Sequence, residues 1–211
     1  MIIAIDGPAA AGKGTLARRV AEALGYAYLD TGSLYRATAK KVLDQEIDPD
    51  DEQGCTVVAL NLTPADLTVA GLRSEEVGQA ASKVSAIPGV RSALLRFQRD
   101  FAANPPDGKT GAVLDGRDIG TVVCPDADIK FFVTASTEVR AERRFKELRE
   151  AGEDVIYARV LEEMRERDER DTNRAVAPLK PAEDATVIDT SGLDADQVFE
   201  QARDIVAAKQ A

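Results

Sequence analysis

Residues 2–15 read IIAIDGPAAAGKGT, and this stretch decides the fold. Ile2 to Ile5 is a short apolar run that reads as a buried strand, and a helix is expected over Lys13–Leu24, stopped by Gly25. Between them lies GPAAAGKGT, Gly7 to Thr15. Glycines let such a loop turn its N–H groups inward around a phosphate, and the N-terminus of the following helix adds partial positive charge. Lys13 then supplies a point charge for the outer phosphates. Gly7, Pro8, Ala9, Ala10, Ala11, Gly12, Lys13, Gly14 and Thr15 are therefore the candidate cradle for a nucleotide's phosphates. One departure matters: Gly14 stands where Ser or Thr usually follows the lysine, so the hydroxyl arrives one place late, at Thr15. A metal is held less directly by this loop than in a switch GTPase, and no dedicated metal ligands are expected. A second reading of the same residues is a dinucleotide fingerprint from Gly12, Gly14 and Ala17, with Asp30 as the ribose-binding acid. It fits poorly, because Gly12 lies seven residues beyond Ile5 and the fingerprint does not call for a lysine.

Outward from this stretch, the pattern alternates between short strands and longer amphipathic helices, as in an α/β fold with a mostly parallel sheet. Further strands are expected at Tyr26–Leu29, Ala112–Leu114, Ile129–Val133 and Val187–Ile188. Helices are expected over Ser33–Leu43, from about Glu138 behind a Ser136 or Thr137 cap, over Asp154–Arg170 and over Gln197–Ala208. Asp44–Leu72, with the acidic cluster DPDDE and Gly54, Pro64 and Gly71, reads as an insertion with little regular structure. Ser82–Ala103 is better helical material, broken at Pro88-Gly89. The whole chain, 1–211, reads as one domain with an excursion between about 40 and 100.

Composition narrows the chemistry. The 211 residues carry 27 Lys and Arg against 37 Asp and Glu, a formal net charge of −10. A chain this acidic is a poor partner for nucleic acid or an anionic membrane. It has no histidine, which removes Ser-His-Asp and Cys-His nucleophile systems and any imidazole base or zinc ligand. Two cysteines, Cys55 and Cys124, are too few for a disulfide framework. The N-terminal MIIAIDG lacks a basic start and meets Asp6 early, unlike a secretory signal. A cytoplasmic location and a monomer are expected.

Two more segments sit where ligands of open α/β sheets bind, at strand carboxyl ends. DTGSLYR, Asp30 to Arg36, offers hydroxyls, helix-start N–H groups and Arg36 for a second phosphate. LDGRDIG places Asp115, Arg117 and Asp118 after the third strand, where an acid beside a phosphate cradle orients magnesium or its waters. Arginines also recur at helical spacing, Arg140, Arg143 and Arg144 on one helix, Arg167, Arg170 and Arg174 on another. Most are expected to pair with acids, and a few to clamp phosphates. Without histidine, the natural acceptor is a nucleoside monophosphate, whose phosphate is largely dianionic at neutral pH with a second pKa of roughly 6. An alcohol acceptor with a carboxylate base stays open on these residues alone.

Together GPAAAGKGT, LDTGSLYR, SKVSAIPGVR, LDGRDIGTVV and RDERDTNRAVAPL resemble the bacterial cytidylate kinase family over essentially the whole chain. The resemblance implies a P-loop kinase fold: a five-stranded parallel sheet with helices on both faces, a small nucleotide-monophosphate-binding insert (31–104) and a short lid (143–157). It implies phosphorylation of CMP and dCMP by ATP with Mg2+, in pyrimidine nucleotide metabolism. By motif, Thr31, Arg36 and Arg117 would meet the acceptor phosphate, and Ser82, Arg91 and Asp118 would face the cytosine ring. Arg167, Asp171 and Arg174 would serve ribose and phosphates near the lid. Lys13, Arg117 and Arg167 would be the catalytic cations. The stretch Ala59–Ser74 looks shorter than the family's usual insert. Another small-molecule kinase of this fold, of adenylate or shikimate type, and a non-catalytic ATP-sensing regulator are the alternatives.

Overall fold

A computed structural model describes residues 1–210. Five strands form one sheet in the order β2-β3-β1-β4-β5, and every pairing is parallel. They are β1 (Ile2–Asp6), β2 (Ala27–Asp30), β3 (Ala112–Gly116), β4 (Ile129–Thr134) and β5 (Thr186–Asp189). Parallel strands must be joined by crossovers, and helices supply them. The central strands are buried on both faces, which explains their continuous apolar runs. On one face Ile3, Ile5, Val113 and Phe131 pack against Leu16, Ala17 and Val20 of α1 (Lys13–Leu24) and Val198 and Ala202 of α8 (Ala195–Gln210). On the other, Ala4, Leu29 and Leu114 meet Ile119 and Val123.

A second core lies in the excursion. Leu34 and Val42 of α2 (Thr31–Asp44) pack with Cys55 and Val58 of α3 (Glu52–Leu60), Val77 and Val84 of α4 (Glu75–Val84), and Val90 and Leu94 of α5 (Pro88–Ala103). The expectation that Asp44–Leu72 has little regular structure is thus corrected. Asp51 caps α3 by accepting from the Gln53 and Gly54 N–H groups, and Pro64–Thr68 forms a 3₁₀ turn. The acidic cluster that reads as loop is in part a helix start. The α2 boundary also moves: its cap is Asp30, which accepts from the Ser33 N–H at 3.1 Å, so the helix begins at Thr31. Pro88 opens α5 as its first residue rather than breaking a longer helix.

Past the sheet, α6 (Thr137–Glu150) is capped by Ser136, and α7 (Tyr157–Asn173) packs on it. Between them Gly152 adopts φ +84°. After β3 the chain makes one π turn, Ile119–Val123, with Cys124 N–H donating to the Ile119 carbonyl. No sequence signal marks it, because its anchor is distant: the Asp6 carboxylate accepts from the Ile119 and Gly120 N–H groups, both at 2.7 Å. Because the strands run in parallel and in register, Asp6, Asp30, Asp115 and Gly116 all end on one sheet edge. No helix among the described residues is long and apolar enough to cross a membrane.

Candidate active site

The loop after β1 lies hard against β4. A Cβ on Gly7, at φ +146°, would stand 1.9 Å from the Val133 carbonyl oxygen, so only glycine fits there. Gly12 takes φ +94° at the start of α1, and Ala10 is held at φ +56°, a conformation that costs an alanine energy. Arg140, buried on α6, steadies the loop: it donates to the Ala9 carbonyl (3.4 Å) and the Ala135 carbonyl (2.9 Å) and pairs with Asp168 of α7 at 2.6 Å. Its role is structural, as the abundance of neighbouring acids leads one to expect.

Lys13 is 7% exposed, and its ammonium donates to the Pro8 carbonyl at 2.7 Å. Burial, then the guanidinium groups of Arg117 and Arg167, pull it from 10.5 down to about 7, against the attraction of Asp115 and Asp6. Beside it, Asp115 is pushed up by burial and by Asp30, and its carboxylate accepts from the Tyr28 hydroxyl at 2.8 Å.

Around the loop opens a cleft of about 270 Å³. It is lined by all the residues chosen from the sequence except Gly7 and Pro8, which shape the loop from behind. Thr31 donates to the Asp115 carbonyl at 2.7 Å, fixing the start of α2 to the end of β3. Arg36 pairs with Asp30 at 2.7 Å. Arg117 is held by Asp171 of α7 at 2.9 Å, and the two arginines Arg117 and Arg167 overcome the burial that would otherwise raise the Asp171 carboxyl, so it lies below the usual range. Arg91 pairs with the Oδ2 atom of Asp118 and stacks over Tyr35 at 5.8 Å, while Arg174 lies 3.7 Å from Oδ1. Burial and Arg117 bring Arg167 down to about 10.

These cations are only partly satisfied. Among the described residues, Arg36 Nε, Arg167 Nε and Arg174 Nη2 are buried with no hydrogen-bond acceptor. A buried donor left unmade costs about 1–3 kcal/mol, so a cleft that gathers three of them is built for an anion that brings acceptors.

Of the lining residues, Arg73, Glu75 and Glu147 escaped the sequence reading, and Arg144 was visible there only as one of an arginine face. Arg73, Glu75, Arg144 and Glu147 bridge the insert to α6 across the cleft mouth, with Arg144 to Glu75 at 3.0 Å and Arg73 to Glu147 at 3.5 Å. A second cavity of about 290 Å³ adjoins Gly12 and Thr15 on the other side, between Arg143 and the mostly apolar Leu193, Ala195 and Val198. Arg143 itself is pinned by the Thr190 carbonyl at 2.7 Å. The strand-end rule applied to β5 would have pointed to Thr190.

The cytidylate kinase family model matches residues 3–208. The chain belongs to the cytidylate kinase family. Relatives named cytidylate kinase from Paramagnetospirillum magneticum and Rhodospirillum rubrum are 65% and 59% identical over 209 residues. Each alignment covers 99% of this chain, and 99% and 98% of those relatives respectively. A third, from Methylocella silvestris, is 58% identical over 206 residues, 98% of this chain and 94% of that relative. In fold, this cytidylate kinase family member is similar to a gluconokinase from Sinorhizobium meliloti, with a TM-score of 0.50 at 16% identity over 98% of this chain and 91% of that one.

The depressed Lys13 has a measurable consequence. Its folded pKa lies below the ordinary lysine value, so between about 7 and 10.5 burial and the neighbouring guanidinium groups favour its neutral form. Phosphates restore the charged form, so nucleotide binding at pH 8.5 takes up a proton, and affinity falls as pH rises through that window. Calorimetric titration with ATP in buffers of different ionisation enthalpy should show this uptake in the native protein and none in Lys13→Met. Equal uptake in both would contradict it.

Proposed function

We propose that the cleft holds ATP over Gly7–Thr15 and CMP or dCMP over α4, α5 and the turn after β3, and transfers the terminal phosphoryl group between them. The observation that carries this reading is the set of buried guanidinium nitrogens without acceptors among the described residues, on arginines that line one cleft with Lys13 in a chain that has no histidine. An acceptor phosphate oxygen attacks the γ-phosphorus, the bond to the bridging oxygen breaks, and ADP leaves. The attacking group is already ionised, so no base is needed and catalysis is alignment, charge neutralisation and exclusion of water.

Within that scheme, Gly7–Thr15 hold the donor's phosphates and Lys13 follows the charge on the transferred group. Thr31, Arg36 and Arg117 receive the acceptor phosphate, and Arg167, Asp171 and Arg174 serve the ribose and the phosphates from α7. The apolar second cavity beside Gly12 and Thr15 suits the donor's base. Mg2+, when bound, would supply positive charge beside the donor's phosphates. Among the described residues no three acidic, cysteine or histidine side chains gather to hold a metal, so the ion would rest on phosphates and waters, with Asp115 orienting them. Asp115 fits that task, since burial and Asp30 already push its carboxyl up and a nearby cation would relieve both.

Asp118 reads the base. Its Oδ2 is taken by Arg91, while Oδ1 makes no hydrogen bond among the described residues, its nearest cation being Arg174 at 3.7 Å, and the residue lines the cleft. Cytosine offers an N4 amino donor there and uracil a carbonyl oxygen, which a carboxylate repels. Ser82 and Arg91 complete the match by donating to N3 and O2, the serine hydroxyl to N3.

The insert is residues 31–104, and the lid is 143–157, hinged at Gly152. Exclusion of water requires it to close, or ATP would be hydrolysed instead of passed on. A ligand joining both nucleotides should slow amide exchange between Arg143 and Tyr157, and unchanged exchange there would count against the lid. For the base, Asp118→Asn should lower kcat/KM for CMP roughly 10²-fold, the loss of a hydrogen bond to a charged group. It should also narrow the CMP-to-UMP ratio, because an amide can turn to donate to O4. If both substrates fall together, Asp118 does no more than hold Arg91.

A further inference from the structure

Arg170 lies on α7, one turn from Arg167 and Arg174, but it points to the insert rather than to the phosphates. Its Nε–H donates to Ser82 Oγ at 3.2 Å, and its Nη2 donates to Gln79 Oε1 at 2.5 Å. Gln79 is oriented in turn, since its amide nitrogen donates to Glu75 at 2.9 Å, and Glu75 is held by Arg144. The guanidinium is therefore fixed by the insert on one side and by its helix on the other.

A serine hydroxyl is one donor and two acceptor sites, and on its own it turns to suit whichever partner arrives. Ser82 is 4% exposed and lines the cleft, and among the described residues its hydroxyl proton has no acceptor. With a charged donor seated on its oxygen, rotation that would point the proton at Arg170 is electrostatically closed. We infer that Arg170 is a positioning residue for base recognition: it fixes the Ser82 hydroxyl as a donor into the cleft, so that the site accepts a ring nitrogen bearing a lone pair and refuses one bearing a hydrogen. Cytosine N3 is the former and uracil N3–H the latter. The inference rests on the proposal that Ser82 faces the base. It assigns part of the discrimination to a side chain that never touches the nucleotide, and it ties that discrimination to the docking of α7 on α4.

The test is the ratio of kcat/KM for CMP to that for UMP in four proteins: the native chain, Arg170→Met, Ser82→Ala and the double variant. Because the ratio compares two substrates on one sample, it does not depend on how much of a variant is folded. Arg170→Met should narrow the ratio roughly fivefold, the worth of one net hydrogen bond. It should act mainly through KM for CMP, and Arg170→Lys, which can still donate, should recover part of the loss. In the Ser82→Ala background, Arg170→Met should leave the ratio where Ser82→Ala puts it. A ratio unchanged by Arg170→Met, although Ser82→Ala narrows it, overturns the role of Arg170 alone. Equal narrowing by Arg170→Met with and without the Ser82 hydroxyl also overturns it. A ratio indifferent to Ser82→Ala overturns the base-facing placement of Ser82, and the inference with it.

Discussion

Repulsion among cations confined in one cleft is the constraint on which the rest of this structure depends. Lys13, Arg36, Arg117, Arg167 and Arg174 all line it. After burial itself, the neighbours that depress Lys13 and Arg167 are other guanidinium groups, Arg117 foremost in both. Such a set is stable without ligand only if carboxylates stand close enough to offset it and too few to saturate it. Asp171 holds Arg117, Asp30 holds Arg36, and Asp118 is shared between Arg91 and Arg174. What is left over, several buried N–H groups and a lysine short of its charge, is what phosphates provide.

The topology exists to bring those groups together. A parallel sheet puts the carboxyl end of every strand on one edge, so the cradle after β1, the helix start after β2 and the turn after β3 meet without long loops. Two close contacts then set their distances. Gly7 lets the cradle lie against the β4 backbone, and Asp6 clips the π turn after β3 to the end of β1. Asp6 is buried, and burial lifts its carboxyl to about 6 even though two N–H groups favour its ionised form. Arg117 and Asp118 immediately precede the clipped residues, so the groups proposed for acceptor phosphate and base are tied through Asp6 to the strand that leads into the donor cradle.

Legibility in the sequence followed the range of the interaction. The cradle was readable because one backbone turn must contain the whole of it, and contiguous glycines and a lysine leave a local trace. The apolar runs of β1 and β4 were readable for the same reason. α3 was not, because an acidic run with Pro49 and Gly54 reads as loop unless the reader sees that Asp51 caps a helix packed under α5. The π turn was invisible because Asp6, more than a hundred residues away, supplies its anchor. The arginine faces were visible as spacing but not as roles. Only the fold shows that Arg140 braces the cradle, Arg143 caps the end of β5, and Arg144 and Arg170 reach across to α4.

The central claim is that the unsatisfied cations of the cleft are arranged for a pyrimidine monophosphate and pass it a phosphoryl group. The most direct measurement is ADP release from ATP and Mg2+ in the presence of CMP, dCMP, UMP, AMP or shikimate, each tested separately at equal concentration. The account predicts rapid release with CMP and dCMP, much slower release with UMP, and near-background release with AMP, shikimate or no acceptor. Fastest release with AMP or shikimate, or ATP binding with no acceptor-dependent release at all, would contradict it.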